Sequence, residues 1–116
     1  MKYMLAFFET SETFTARSST EAPQYWAAWQ AYMQEMNPVT LSGQALQGPE
    51  TGSTLRVRGG RSQVQDGPSP DSKEMLGGYV IVEVPDLDAA LGWARKAPCA
   101  SSGSVGVYPV LAMNGM

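Results

Sequence analysis

Asp66 is the carboxylate that patterning best places to move a proton. It shares the parity of Val64 in an alternating segment, so a continued strand turns it inward at the edge of the core. Lost hydration there raises a carboxyl's pKa toward a useful acid–base range. The competing reading takes Asp66-Gly67-Pro68 as a turn whose carboxylate accepts backbone N–H bonds. Arg56, Arg58 and Arg61 fall on one face of the same stretch. Like charges set opposite each other favour either an anionic ligand between them or a splayed, solvated face. Lys73 beside Glu74 can orient a ligand or form a solvated pair. Tyr79 and Tyr108 can hydrogen-bond a small polar ligand or serve as ordinary half-buried aromatics. Cys99 follows Pro98 and lacks a histidine or helix N-terminus to make it a thiolate, so it reads as inert.

The chain contains no histidine at all. That removes Ser-His-Asp and Cys-His catalysis, histidine-ligated zinc, and the one side chain that ordinarily titrates near neutrality. Gly59-Gly60 reads as a hairpin turn and Gly77-Gly78 as the start of a strand, so neither is a phosphate-cradling loop. No metal and no cofactor are expected.

At 116 residues the chain has the length of one domain, residues 1–116, able to form a single hydrophobic core. Eight Lys and Arg against eleven Asp and Glu leave a net charge of −3, which gives no electrostatic reason to bind nucleic acid. One cysteine cannot form an intrachain disulfide, which fits a reducing compartment. The apolar opening Tyr3 to Phe8 is closed by Glu9, too short for a signal-peptide core or a membrane span. A cytosolic protein with no membrane partner is expected.

These residues must be positioned by elements that the pattern also predicts. Tyr3 to Phe8 is apolar in both parities, as in a central strand buried on both faces. A polar stretch follows, in which Ser18 or Thr20 can cap a helix over Ala22 to Met36. In that helix Tyr25, Trp26, Trp29, Tyr32, Met33 and Met36 recur at steps of three and four, the spacing of a core-facing stripe. It ends near Asn37-Pro38. Val39 to Leu46 reads as a second strand. Residues 54–58 and 61–65 then form a hairpin about Gly59-Gly60 that pairs Arg58 with Arg61 and Leu55 with Val64. Leu55, Val57 and Val64 are expected to face inward. Gly77 to Val84 is a strong strand, Asp86 caps a helix running to Lys96, and Ser104 to Val110 is a last strand before a frayed tail, Leu111 to Met116.

The order strand, helix, strand, hairpin, strand, helix, strand is the split βαβ plan, an α+β fold with both helices on one face of an antiparallel sheet. The middle strands are apolar on their other face too, so a second copy of the sheet is the expected cover, giving a homodimer. A ligand cleft is expected between helix or hairpin and sheet, near the dimer seam.

The segments Asp66-Gly67-Pro68, Lys73-Glu74-Met75-Leu76-Gly77-Gly78-Tyr79 and Val84-Pro85-Asp86-Leu87-Asp88-Ala89-Ala90-Leu91-Gly92-Trp93-Ala94 together resemble the YCII-related family in its DGPF-type branch. The resemblance implies a ferredoxin-like βαββαβ fold with an inserted hairpin, dimerising into an α/β barrel. For function it implies a small-molecule-binding protein. Some relatives resemble lyases or dehydrochlorinases of hydroxylated aromatic rings, and others suggest a regulatory role linked to transcription. The enzymatic relatives use a His with an Asp, and this chain has Ser69 after Asp-Gly-Pro and no His. Two readings follow. In one, Asp66 moves a proton of a small hydroxylated aromatic or anionic substrate while Arg56 or Tyr79 steadies negative charge, with Arg58, Lys73 and Tyr108 lining the ligand site. In the other, the protein is a non-catalytic ligand sensor or protein-interaction module.

Overall fold

The computed structural model describes residues 1–113. The chain runs β1 (Lys2–Thr10), α1 (Ser11–Ala16), α2 (Ala22–Met36), β2 (Thr40–Ala45), β3 (Ser53–Arg58), β4 (Arg61–Asp66), β5 (Glu74–Glu83), α3 (Leu87–Arg95) and β6 (Ser104–Pro109). Strands β2, β5, β1 and β6 lie side by side in that order, every neighbouring pair antiparallel. This is the ferredoxin-like α+β arrangement. The β3–β4 pair forms a separate two-stranded sheet.

Local chemistry explains the boundaries. The Asp86 side chain accepts a 2.9 Å bond from the backbone N–H of Ala89, which starts α3 as its sequence predicts. Pro38 stops α2, and the chain tightens into a single 3-10 turn over Asn37–Val39. The expected caps of α2 are not used: its N-cap is Glu21, without a side-chain bond, while Pro23 supplies a preset helical φ in the first turn. The polar stretch before it holds the short α1, capped by the Thr10 hydroxyl, which accepts from Thr13 N–H.

Odd residues of β1 and even residues of β5 meet the helices. Tyr3, Leu5, Phe7, Val80, Val82 and Val84 pack with Tyr32 and Met36 of α2 and Ala90 of α3 in one cluster. Leu5, Met36 and Val82 are fully buried, each burial stabilising the fold by about 1.5–3 kcal/mol. The opposite parity, Met4, Ala6 and Phe8 of β1 with Tyr79 and Ile81 of β5, looks away from both helices. The molecule measures 19 Å along its shortest axis, roughly one helix layer on one sheet, at about 10 Å each.

In the hairpin, the predicted register is observed: Arg58 opposes Arg61, Arg56 opposes Gln63 and Leu55 opposes Val64. Gly59 and Gly60 adopt φ of 59° and 75°, the left-handed values that such a two-residue turn requires. The expected burial of its apolar face is corrected. Leu55, Val57 and Val64 are 60%, 55% and 63% exposed. Parity sets which residues share a face, but this hairpin pairs only with itself and its apolar face meets no layer of the same chain. Its base is tied by Gly67 N–H to Gly52 O (2.8 Å) and by the Thr54 hydroxyl to Gly67 O (2.8 Å).

After β6, Leu111 to Met113 are exposed and irregular; residues 114–116 of the expected frayed tail lie outside the described residues. Among the described residues no helix is long and apolar enough to cross a membrane.

Candidate functional site

The end of β1 brings a charged residue into the core face. Glu9 continues the parity of Leu5 and Phe7, so the strand delivers its carboxylate under α2, where the residue is 1% exposed. Two groups meet it. The Tyr25 hydroxyl, on the first turn of α2, donates to Glu9 Oε1 at 2.6 Å. Arg17, just after α1, places Nη2 3.6 Å from Glu9 Oε2 and donates from Nε to the Tyr25 hydroxyl at 3.1 Å. Both terminal nitrogens also donate to backbone: Nη1 to Leu46 O at 2.6 Å and Nη2 to Gly77 O at 3.1 Å. The rings of Phe14 and Trp26 stand 4.7 and 5.4 Å from the guanidinium carbon, a cage that keeps the cation attractive to carboxylate and π faces alike.

The backbone is shaped to fit this cluster. Between the pairs Phe7↔Gly78 and Phe8↔Leu76 the register slips, leaving Gly77 as a bulge whose carbonyl turns to Arg17 and to Leu46 N–H. A Cβ on Gly77 would lie 2.9 Å from Arg17 Nη2 and 3.4 Å from Glu9 Oε2. Glycine is therefore needed here for close approach rather than for an unusual φ.

Glu9, Arg17 and Tyr25 border a cleft of about 690 Å³ between α2 and strands β2 and β5, walled by Phe7, Trp26 and Trp29. Trp29 meets Phe7 edge-on at 4.9 Å and Tyr32 at 5.9 Å. A second cavity of about 300 Å³ also touches Glu9, Tyr25 and Trp29, with Thr13, Gln24 and Cys99 among its walls. Two buried side-chain atoms in this region have no hydrogen-bond partner: Glu9 Oε2 and Trp29 Nε1. Burial and the bond to Glu9 push the Tyr25 phenol up to about 12, so it stays a neutral donor under physiological conditions. Burial and the nearby Glu9 charge likewise push the Cys99 thiol up to about 12, which matches its inert sequence reading.

The residues singled out from sequence are placed elsewhere, with one exception. Asp66 ends β4 as an exposed residue opposite Ser53, so the expectation that it turns into the core edge is corrected; the strand's parity holds, but there is no core beneath it. Arg56 is half-buried and donates to Gln65 Oε1 at 3.1 Å, and exposed Arg58 donates to Val57 O at 3.0 Å. Lys73 is exposed before β5, and Tyr108 is exposed opposite Met4 on the sheet face away from the helices. Tyr79 alone among them borders the large cleft, although its pairing with Ala6 turns its side chain to that same far face. Glu9 and Arg17 are not among the residues that sequence patterning singles out. The signal for Glu9 is parity: it is the next inward position after Tyr3, Leu5 and Phe7. Arg17 sits in a polar stretch with no pattern to single it out.

The sequence profile of the YCII-related domain matches residues 1–114, a span that includes the sheet, its helices and the whole cleft. The chain belongs to the YCII-related family. This YCII-related chain is 40% identical over 60 residues to an uncharacterised protein of Rhizobium meliloti, a match covering 50% of this chain and 48% of that protein. The matched stretch is thus about half of that relative's length. Among solved structures it is similar to the 5-chloro-2-hydroxyhydroquinone dehydrochlorinase of Burkholderia phenoliruptrix in complex with 2,5-dihydroxybenzoquinone, with a TM-score of 0.56, 18% identity and 96% and 94% of the two chains covered. At that identity the likeness speaks for a shared fold.

Proposed function

We propose that this YCII-related protein binds a small hydroxylated aromatic molecule in the cleft beneath α2 and acts on it by acid–base chemistry of the lyase or isomerase type. The carrying observation is Glu9 Oε2, a fully buried carboxylate oxygen at an aromatic-walled cleft with no hydrogen-bond donor of its own. A buried acceptor left unpaired costs about 1–3 kcal/mol, a cost that a ligand hydroxyl removes on binding. In the reactive step the ring O–H breaks, its proton forms a new bond to Oε2, and the electron pair stays on the ring oxygen. The Arg17 guanidinium, 3.6 Å from that carboxylate oxygen, is the positive charge nearest the developing anion. Tyr25 holds Oε1 and so leaves Oε2 as the oxygen without a donor, free to accept from a ligand hydroxyl. The oxygenated rings named for the fold neighbour, as substrate and as bound compound, support a ring-sized ligand.

The functional unit in this proposal is a homodimer closed sheet to sheet, an α/β barrel formed over Met4, Phe8, Ile81 and Tyr108. The thin two-layer shape and the apolar parity that the helices leave uncovered support it. Asp66-Gly67-Pro68, with Gly67 at φ 79°, supports a place near the DGPF-type branch.

A thermal-shift screen of phenols against the native protein and Glu9→Gln tests the reading. Stabilisation of the native chain alone is the expected result, and equal stabilisation of both overturns it. Binding without turnover of any stabilising phenol would leave a ligand-sensing module in place of an enzyme.

A further inference from the structure

Resting on the cleft reading above, we infer that Trp29 is a specificity-determining residue: its indole N–H takes an oxygen of the ligand opposite the hydroxyl that Glu9 engages. The indole nitrogen is buried without a partner, as is Glu9 Oε2, and both residues line the large cleft. One atom is an obligate donor and the other an acceptor, so together they ask for a ligand with a donor at one end and an acceptor at the other.

The secondary structure sets how far apart the two elements hold these side chains. Tyr25 and Trp29 are one helical turn apart on α2, and Glu9 and Phe7 are two residues apart on β1. Tyr25 meets Glu9, and Trp29 meets Phe7, so the two contacts are successive rungs between helix and strand. Four helical residues rise about 6 Å and two strand residues about 6.6 Å. The rungs thus stand about one six-membered ring apart, so a single ring can lie across both. Phe7 and Trp29, edge to face, supply the apolar wall along it.

The probes are phenol, hydroquinone monomethyl ether and hydroquinone dimethyl ether, titrated calorimetrically into the full-length protein. Phenol offers a donor only, the monomethyl ether adds an acceptor across the ring, and the dimethyl ether has no donor for Glu9. The expected order is monomethyl ether tighter than phenol by about tenfold, the worth of one good hydrogen bond in a buried site, with the dimethyl ether weakest. In Trp29→Phe, which keeps an aromatic wall, the difference between the first two should vanish. Equal binding of phenol and the monomethyl ether by the native protein overturns the role of Trp29 while leaving the cleft reading intact. Tightest binding of the dimethyl ether, or no binding by either phenol, overturns both. The native comparison decides the matter even if Trp29→Phe does not fold.

Discussion

The Tyr25 hydroxyl, carried by the first turn of α2, donates a 2.6 Å hydrogen bond to the buried carboxylate of Glu9 at the end of β1. This contact fixes where the helix meets the sheet and commits one carboxylate oxygen while leaving the other unpaired. Removing the phenol oxygen should therefore cost more than an exposed hydrogen bond would. Tyr25→Phe is expected to lower stability by about 2 kcal/mol, because it leaves both oxygens of a buried carboxylate short of donors. Urea unfolding with an unchanged m-value checks it.

Gly77→Ala is expected to be destabilising by about 1–3 kcal/mol, the range for forcing an extra methyl into a packed site. Its Cβ would lie 2.9 Å from Arg17 Nη2, which donates to the Gly77 carbonyl and faces Glu9, while Nη1 of the same guanidinium is held by the Leu46 carbonyl. The same substitution at Gly92 has nothing within 4 Å to meet and sits inside α3, where alanine is favoured over glycine. Gly92→Ala should be neutral or mildly stabilising, and paired thermal melts compare the two.

The raised phenol and thiol predict alkaline behaviour. Tyr25 moves from 10.0 to about 12 and Cys99 from 9.0 to about 12, both chiefly through burial. Each neutral form is favoured by the fold, so its contribution to stability is complete below the unfolded value and is lost as pH rises toward the folded one. Stability should fall from about pH 9 for Cys99 and from about pH 10 for Tyr25, reaching its floor near 12. Chemical denaturation across that range measures the fall, and Cys99→Ala should delay its onset. In the native state Cys99 should also resist thiol-modifying reagents at neutral pH.

If the apolar parity of β1 and β5 is covered by a second copy, the solution mass should be twice the 12.5 kDa of one chain. Phe8→Asp on that parity places a charge in the seam and should yield monomers, whereas Leu55→Asp on the protruding hairpin should leave a sheet-to-sheet dimer intact. Light scattering after gel filtration distinguishes them, and a monomeric native protein would contradict the barrel.

Much of this fold was legible because its elements announce themselves locally. The hairpin register follows from Gly59-Gly60, the start of α3 from Asp86, and the end of α2 from Pro38. The site was not legible in the same way. Asp66, Arg56 and Arg58 drew attention through a clear alternation, yet the alternation belongs to a hairpin with nothing beneath it. Glu9 reads in sequence as the polar stop of an apolar strand, and only the bulge at Gly77 beside it and the Tyr25 hydroxyl reaching it from α2 bring it to the edge of a cleft. Such a site is assembled from residues that are distant in sequence, and no single window contains it.

The most direct test is a crystal structure of the protein soaked with hydroquinone. A ring lying in the cleft beneath α2 with one hydroxyl within hydrogen-bond distance of Glu9 Oε2 is the predicted result. A ring bound instead among Arg56, Arg58 and Lys73, with the Glu9 oxygen still unpartnered, would contradict it.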